Sequence, residues 1–138
     1  MFSLVYVSTA TTPFSLPELH DFLAKSRANN EMLDVTGMLL YKDGSFMQVL
    51  EGEESVVRKL YAKIASDPRH RGSFILLQGP IEQREFPDWS MGFRDLKTVD
   101  VQKVPGYTHF LHTPLTKEAF SSDPGRCHKL LLTFKEQM

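Results

Sequence analysis

The sequence predicts an α+β domain in the order β-α-β-β-α-β-β, and three observations carry that expectation. An alternating apolar segment opens the chain at residues 2–8, Ser15-Leu16-Pro17-Glu18 has the form of a helix start, and Lys42-Asp43-Gly44-Ser45 is turn chemistry between two apolar runs. At 138 residues the chain has room for a single hydrophobic core.

Each element follows from local pattern. Residues 2–8 are rich in Val, Leu and Tyr, lack Gly and Pro, and put Leu4, Tyr6 and Ser8 on one face of a strand. Ser15 and Glu18 form a capping box with Pro17 in the first turn, where its missing N–H costs nothing. Leu16, Leu19, Phe22, Leu23 and Ser26 then fall at helical spacing, and Asn29-Asn30 tolerates the left-handed conformation of a C-terminal cap, so the helix is expected to end near Ala28. Residues 35–41 and 46–51 read as the strands of a hairpin. Val56, Val57, Leu60, Tyr61 and Ile64 form the apolar stripe of a second helix, which stops before Asp67-Pro68. Residues 73–79 and 89–93 complete the strands.

This order is a ferredoxin-like arrangement with one extra strand and two helices on one sheet face. Residues 35–41 and 74–77 are apolar on both sides, so both faces of the sheet are expected to be covered. The cover is sought in C-terminal helices, a short one at 114–120 and another opening at Asp123-Pro124 with Cys127, Leu130, Leu131 and Phe134 on one stripe.

Composition removes several function classes. Sixteen Lys and Arg against seventeen Asp and Glu give a net charge of −1, which provides no field for a nucleic acid or an anionic membrane. Apolar runs such as residues 74–77 are far too short to span a bilayer, and no basic leader precedes the first strand, so a cytoplasmic protein is expected. The single cysteine, Cys127, cannot build a disulfide framework, and as a helical neighbour of His128 it is a poor nucleophile–base pair. His109 and His112 lack a second ligand pair, so no metal site is expected. An acylphosphatase-like enzyme or a ligand-binding regulatory domain on the same fold is the competing reading. The loop after the first strand, residues 9–14, lacks the glycine that a phosphate cradle of that type uses.

Two polar residues break the apolar pattern. Gln48 shares a strand face with Phe46 and Leu50, and Tyr6 shares one with Leu4; buried amide and phenol groups both require hydrogen-bond partners. Together with Ser8, Asn29-Asn30, Thr36-Gly37, Phe46-x-Gln48-Val49-Leu50-Glu51-Gly52, Asp67-Pro68-Arg69-His70 and Phe86-Pro87-Asp88-Trp89-Ser90-Met91, they give residues 1–95 a pattern that closely resembles the BLUF family of flavin-based blue-light sensors.

The resemblance implies a short stand-alone photoreceptor that turns over no substrate, with a sensor at 1–95 and a helical cap or output segment at 96–138. It implies non-covalently bound FAD, with FMN or riboflavin as substitutes, between the two helices. Tyr6 and Gln48 match the family's photoactive pair, and Trp89 and Met91 its exchanging residues near that glutamine. Ser8, Leu23, Asn29, Asn30, Gln48, Lys63, Ile64, Asp67 and His70 match positions around the flavin; Lys63 stands where the family often has Arg, which loses the fork geometry. Light would drive electron and proton transfer from Tyr6 through Gln48 and switch the hydrogen-bond network. The signal would pass along the fifth strand and C-terminal helices to a downstream protein; apart from the resemblance, the architecture offers a sheet edge and tail helices through which homo-oligomerisation is expected. The thiol adduct of LOV domains is not expected, because Cys127 lies in the tail.

Overall fold

The structure, a computed structural model, describes residues 1–12, 14–42, 44–87, 92–95 and Leu131. The elements run β1 (Phe2–Ala10), α1 (Leu16–Met32), β2 (Thr36–Lys42), β3 (Ser45–Gly52), α2 (Glu54–Ala65), β4 (His70–Pro80) and β5 (Gly92–Asp95). This is the predicted order. The sheet order is β4-β1-β3-β2-β5, antiparallel except where β5 pairs parallel to β2.

Local chemistry sets the helix starts. The Ser15 N–H donates to Glu18 Oε1 at 3.1 Å and the Glu18 N–H to Ser15 Oγ at 3.4 Å, which satisfies two donors at the head of α1. The Glu53 carboxylate caps α2 by accepting the N–H groups of Ser55 and Val56, each at 3.2 Å.

The end of α1 differs from expectation. The helix continues four residues past Ala28, because the left-handed position is taken by Asp34 at φ 54° and not by the asparagines. Asn29 and Asn30 are therefore helical, their carbonyls accepting from Leu33 and Val35 at 3.1 and 2.9 Å, and Asn30 is buried. The β2–β3 turn is made at Gly44, whose φ of 81° an L side chain would resist. Gly37 is needed for a different reason: a Cβ there would stand 1.9 Å from the carbonyl oxygen of Val49 on the adjacent strand.

Both helices pack on one face of the sheet. Leu19 and Leu23 of α1 and Val57 and Leu60 of α2 form one apolar cluster with Leu4, Tyr6, Leu39, Tyr41, Phe46 and Leu50. The alternate residues Val5, Val7, Met38, Leu40, Met47 and Val49 point to the other face and are at most 2% exposed, as predicted for a sheet buried on both sides. Strand β4 departs from that expectation: Phe74 and Leu77 are 36% and 41% exposed. It is an edge strand, and a register shift between Val5 and Tyr6 puts Phe74 opposite Val7 and Leu77 opposite Val5, so residues three apart share a face. The expected C-terminal helices, and Trp89 and Met91, lie outside the described residues; Leu131 alone of that tail is described, helical and fully buried.

Candidate functional site

The antiparallel register of β1 and β3 places Tyr6 directly opposite Gln48 on the helix-facing side. Both are buried, and the Tyr6 hydroxyl donates to Gln48 Oε1. That contact makes Nε2 the donor end of the amide, an orientation assigned from the hydrogen-bond network. Burial, and secondarily the neighbouring Tyr61, push the Tyr6 phenol well above its ordinary pKa, so it remains protonated at neutral pH. The Tyr61 ring lies 5.2 Å from that of Tyr6, and its hydroxyl is 2.9 Å from Ser73 Oγ on β4.

Above this pair a cleft of about 250 Å³ opens between the helices. Phe22, Lys25, Ser26, Asn29 and Asn30 line it from α1, and Leu60, Lys63 and Ile64 from α2; Gln48, Asp67, Arg69 and His70 complete the wall. Ser8 sits behind His70, its Oγ 2.9 Å from Nδ1. The buried His70 ring also lies 5.1 Å from that of Phe46 and 6.0 Å from that of Phe22. Burial lowers the His70 pKa and the Asp67 charge only partly offsets this, so the neutral ring predominates at pH 7. Asp67 and Arg69 form a close ion pair, Nη2 to Oδ2 at 2.7 Å, which holds the carboxyl down to about 2. The Arg69 guanidinium also lies 5.2 Å over the Phe22 ring.

Seven of the residues singled out in the sequence therefore meet at the cleft: Asn29, Asn30, Gln48, Lys63, Ile64, Asp67 and His70. Tyr6 and Ser8 stand one layer behind, bonded to two of them. Leu23 belongs to the apolar cluster and does not line the cleft. Phe22, Lys25, Ser26, Leu60 and Arg69 were not anticipated. Helical spacing offered the signal, since 22, 25, 26 and 29 share one face of α1, and 60, 63 and 64 one face of α2.

Phe22, Leu60 and Ile64 offer apolar walls, the amides of Asn29, Asn30 and Gln48 can each donate and accept, and Lys25, Lys63 and Arg69 bring positive charge. Such a site suits a flat heteroaromatic ligand with carbonyl and N–H edges and an anionic tail, as a flavin nucleotide has. The volume is near the lower end of ligand pockets, about 300–1,000 Å³, which fits the ring system better than a whole dinucleotide. Among the described residues no cluster of three or more His, Cys, Asp and Glu could hold a metal.

Fold and cleft thus define a small α+β domain of ferredoxin-like order whose two helices enclose a cleft suited to a flat heteroaromatic ligand. Residues 1–92 match the family of sensors of blue light using FAD, and the chain belongs to that family, BLUF. It is 38% identical over 90 residues to the photoactivated adenylate cyclase subunit beta of Euglena longa, and 37% identical over 86 residues to the alpha subunit of Euglena gracilis. These alignments cover 64% and 62% of this chain but 10% and 8% of those proteins, so the chain spans about a tenth of the length of the curated relatives it matches. Among solved structures, the BLUF protein BlrB in its dark state superposes with a TM-score of 0.80 at 28% identity, covering 99% of this chain and 96% of BlrB. BlsA in its ground state gives 0.77 at 26%, covering 95% and 87%. A bacterial light-regulated adenylyl cyclase gives 0.74 at 32%, covering 95% of this chain and 36% of the cyclase. The matched region is a blue-light flavin sensor and not itself a catalytic unit. No helix among the described residues is long and apolar enough to cross a membrane.

Proposed function

We propose that this protein binds FAD non-covalently in the α1–α2 cleft and reports blue light through the Tyr6–Gln48 pair. The observation that carries the reading is the hydrogen bond from the Tyr6 hydroxyl to Gln48 Oε1, made by a buried cross-strand pair of which Gln48 lines the cleft. A bound flavin supplies blue-light absorption and, once excited, a strong one-electron oxidant. Asn29, Asn30 and Gln48 hold the carbonyl and N–H edge of the ring, Ile64 and Leu60 its face, with the buried Leu23 packed behind in the core. Lys63, with Asp67 and Arg69, lies toward the ribityl-phosphate side. Ser8 fixes the His70 ring through Nδ1 and so decides which face of the imidazole addresses the cleft.

Tyr6 would give an electron to the excited flavin and its proton along the bond already made to Gln48, and both would return to the phenol on recombination. An amide carries an acceptor at one end and a donor at the other, so a rotated or tautomerised Gln48 returns with a changed hydrogen bond while no substrate is consumed. The change passes along β5, with Trp89 and Met91, to residues 96–138 as output segment, and from there to a downstream protein in the cytoplasm or to a second copy of the chain. Relatives of the chain are a photoactivated adenylate cyclase subunit and a light-regulated adenylyl cyclase, which supports signalling from a light sensor to an effector. FMN or riboflavin can substitute for FAD, since the cleft takes the ring; a solved relative, BlrP1 of Klebsiella pneumoniae, carries FMN.

The test is an absorption spectrum of the purified protein before and after blue light, with the released cofactor identified by chromatography. A yellow protein whose flavin bands move reversibly to the red, releasing FAD, is expected. A protein that cannot take up a flavin contradicts the reading.

A further inference from the structure

Glu51 is a fully buried carboxylate on β3, three residues from Gln48 and on the opposite face of the sheet. Its two oxygens accept the backbone N–H groups of Glu85 and Phe86 at 2.9 and 2.8 Å, which pins the connection leading from β4 to β5. Arg84, at the head of the same connection, donates from Nη1 to Thr36 Oγ1 at 2.8 Å and to the Glu51 carbonyl at 3.1 Å. Its Nη2 reaches the Asp34 carbonyl at 2.7 Å and the Asp34 carboxylate at 3.2 Å. Asp34 is the left-handed residue that follows the last turn of α1, the turn whose Asn29 and Asn30 line the cleft. Phe86 is completely buried and closes the arrangement.

Stability alone is a weak reason for this chemistry. A buried carboxylate carries a desolvation penalty, and well-packed apolar residues often serve a fold as well or better. What two carboxylate oxygens and a five-donor guanidinium supply is fixed geometry. Here that geometry joins three pieces of chain: the end of α1 beside the cleft, the strand that carries Gln48, and the approach to β5.

We propose that Glu51 and Arg84 are positioning residues that lock the β4–β5 connection to the end of α1 and to the strand that carries Gln48, so that a rearrangement at Gln48 and Asn30 is delivered to β5. The proposal rests on the flavin-sensor reading above. In the absence of the lock, the photochemistry proceeds at Tyr6 and Gln48 but β5 does not follow. The two residues touch neither the cleft nor Tyr6, so their effect is on transmission.

Amide hydrogen exchange of the flavin-loaded 138-residue chain, in the dark and under blue light, tests this in the parent, Glu51→Gln and Arg84→Gln. The parent is expected to show a light–dark difference over 92–95, and both variants to keep the red shift of the flavin bands yet lose that difference. Glu51→Gln turns an amide donor toward a backbone N–H and can fail to fold; Arg84→Gln removes the guanidinium donors to Thr36 and to the Asp34 and Glu51 carbonyls without opposing two donors, and then decides alone. A role confined to stability lowers the melting temperature and leaves the light–dark difference intact, and that result overturns the proposal. So does a parent with a red shift but no difference over 92–95, or a variant that loses the red shift itself. A parent without any red shift refutes instead the sensor reading on which the proposal stands.

Discussion

At the scale of single residues, the site depends on polar groups placed where water cannot serve them. Tyr6 holds its proton because burial disfavours the phenolate, and the hydroxyl already donates that proton in a hydrogen bond to Gln48 Oε1. Tyr6→Phe removes the donor but little volume; it is expected to retain flavin and abolish the light-induced shift, and a normal shift in that variant removes Tyr6 from the mechanism. Gln48→Leu is expected to do the same. Asn30 is buried at the cleft wall, so Asn30→Ala leaves a ligand polar group unmet at a cost of about 1–3 kcal/mol, read as about tenfold or more weaker flavin binding in a titration. His70 adds a pH dependence. Its folded-state pKa lies below the ordinary 6.5 because burial opposes the charged ring. The stability it contributes is therefore complete above the unfolded value and is lost as pH falls through the folded one. Denaturant midpoints measured in the dark between about pH 7 and about pH 5 should fall with acid, and less steeply in His70→Gln. The Asp67–Arg69 pair works in a lower window, since its carboxyl titrates near 2; Asp67 is partly exposed and Arg69 more so, and solvent limits the contribution to about 0.2–1 kcal/mol.

At the scale of elements, starts were more legible than ends. The Ser15–Glu18 box and the Gly44 turn rest on contacts within a few residues, so both could be read directly from the chain. The end of α1 could not, because Asn29 and Asn30 suit a cap by type but face the cleft, and burial against another element overrides local preference. The same holds for β4, where bulges against β1 set which side chains face solvent. Ser15→Ala is expected to cost about 1 kcal/mol in a denaturant titration. Gly37→Ala drives a Cβ into the Val49 carbonyl across the β2–β3 ladder, and a loss above about 4 kcal/mol, enough to unfold a marginal domain, is expected in the same experiment.

Across the whole molecule, one sheet carries two jobs on its two faces. The helix-facing side holds Tyr6, Gln48 and the cleft, while the other holds Glu51 and the connection to β5. Gln48 and Tyr6 were conspicuous in the sequence as polar residues in apolar strands, yet their pairing is a long-range fact set by the β1–β3 register. The Ser8–His70 contact and the Glu51 clamp depend likewise on residues 62 and 34 or 35 positions apart, which periodicity does not connect. A near-neutral chain with a single cysteine and no catalytic motif fits a protein whose reactive chemistry arrives with a bound ring. The measurement that tests this most directly is the absorption difference of the flavin-loaded protein between blue light and dark, followed through dark recovery. A red shift of the flavin bands that reverses in the dark, present in the parent and absent in Tyr6→Phe, is the predicted result. A flavin-loaded parent whose spectrum does not respond to blue light would contradict it.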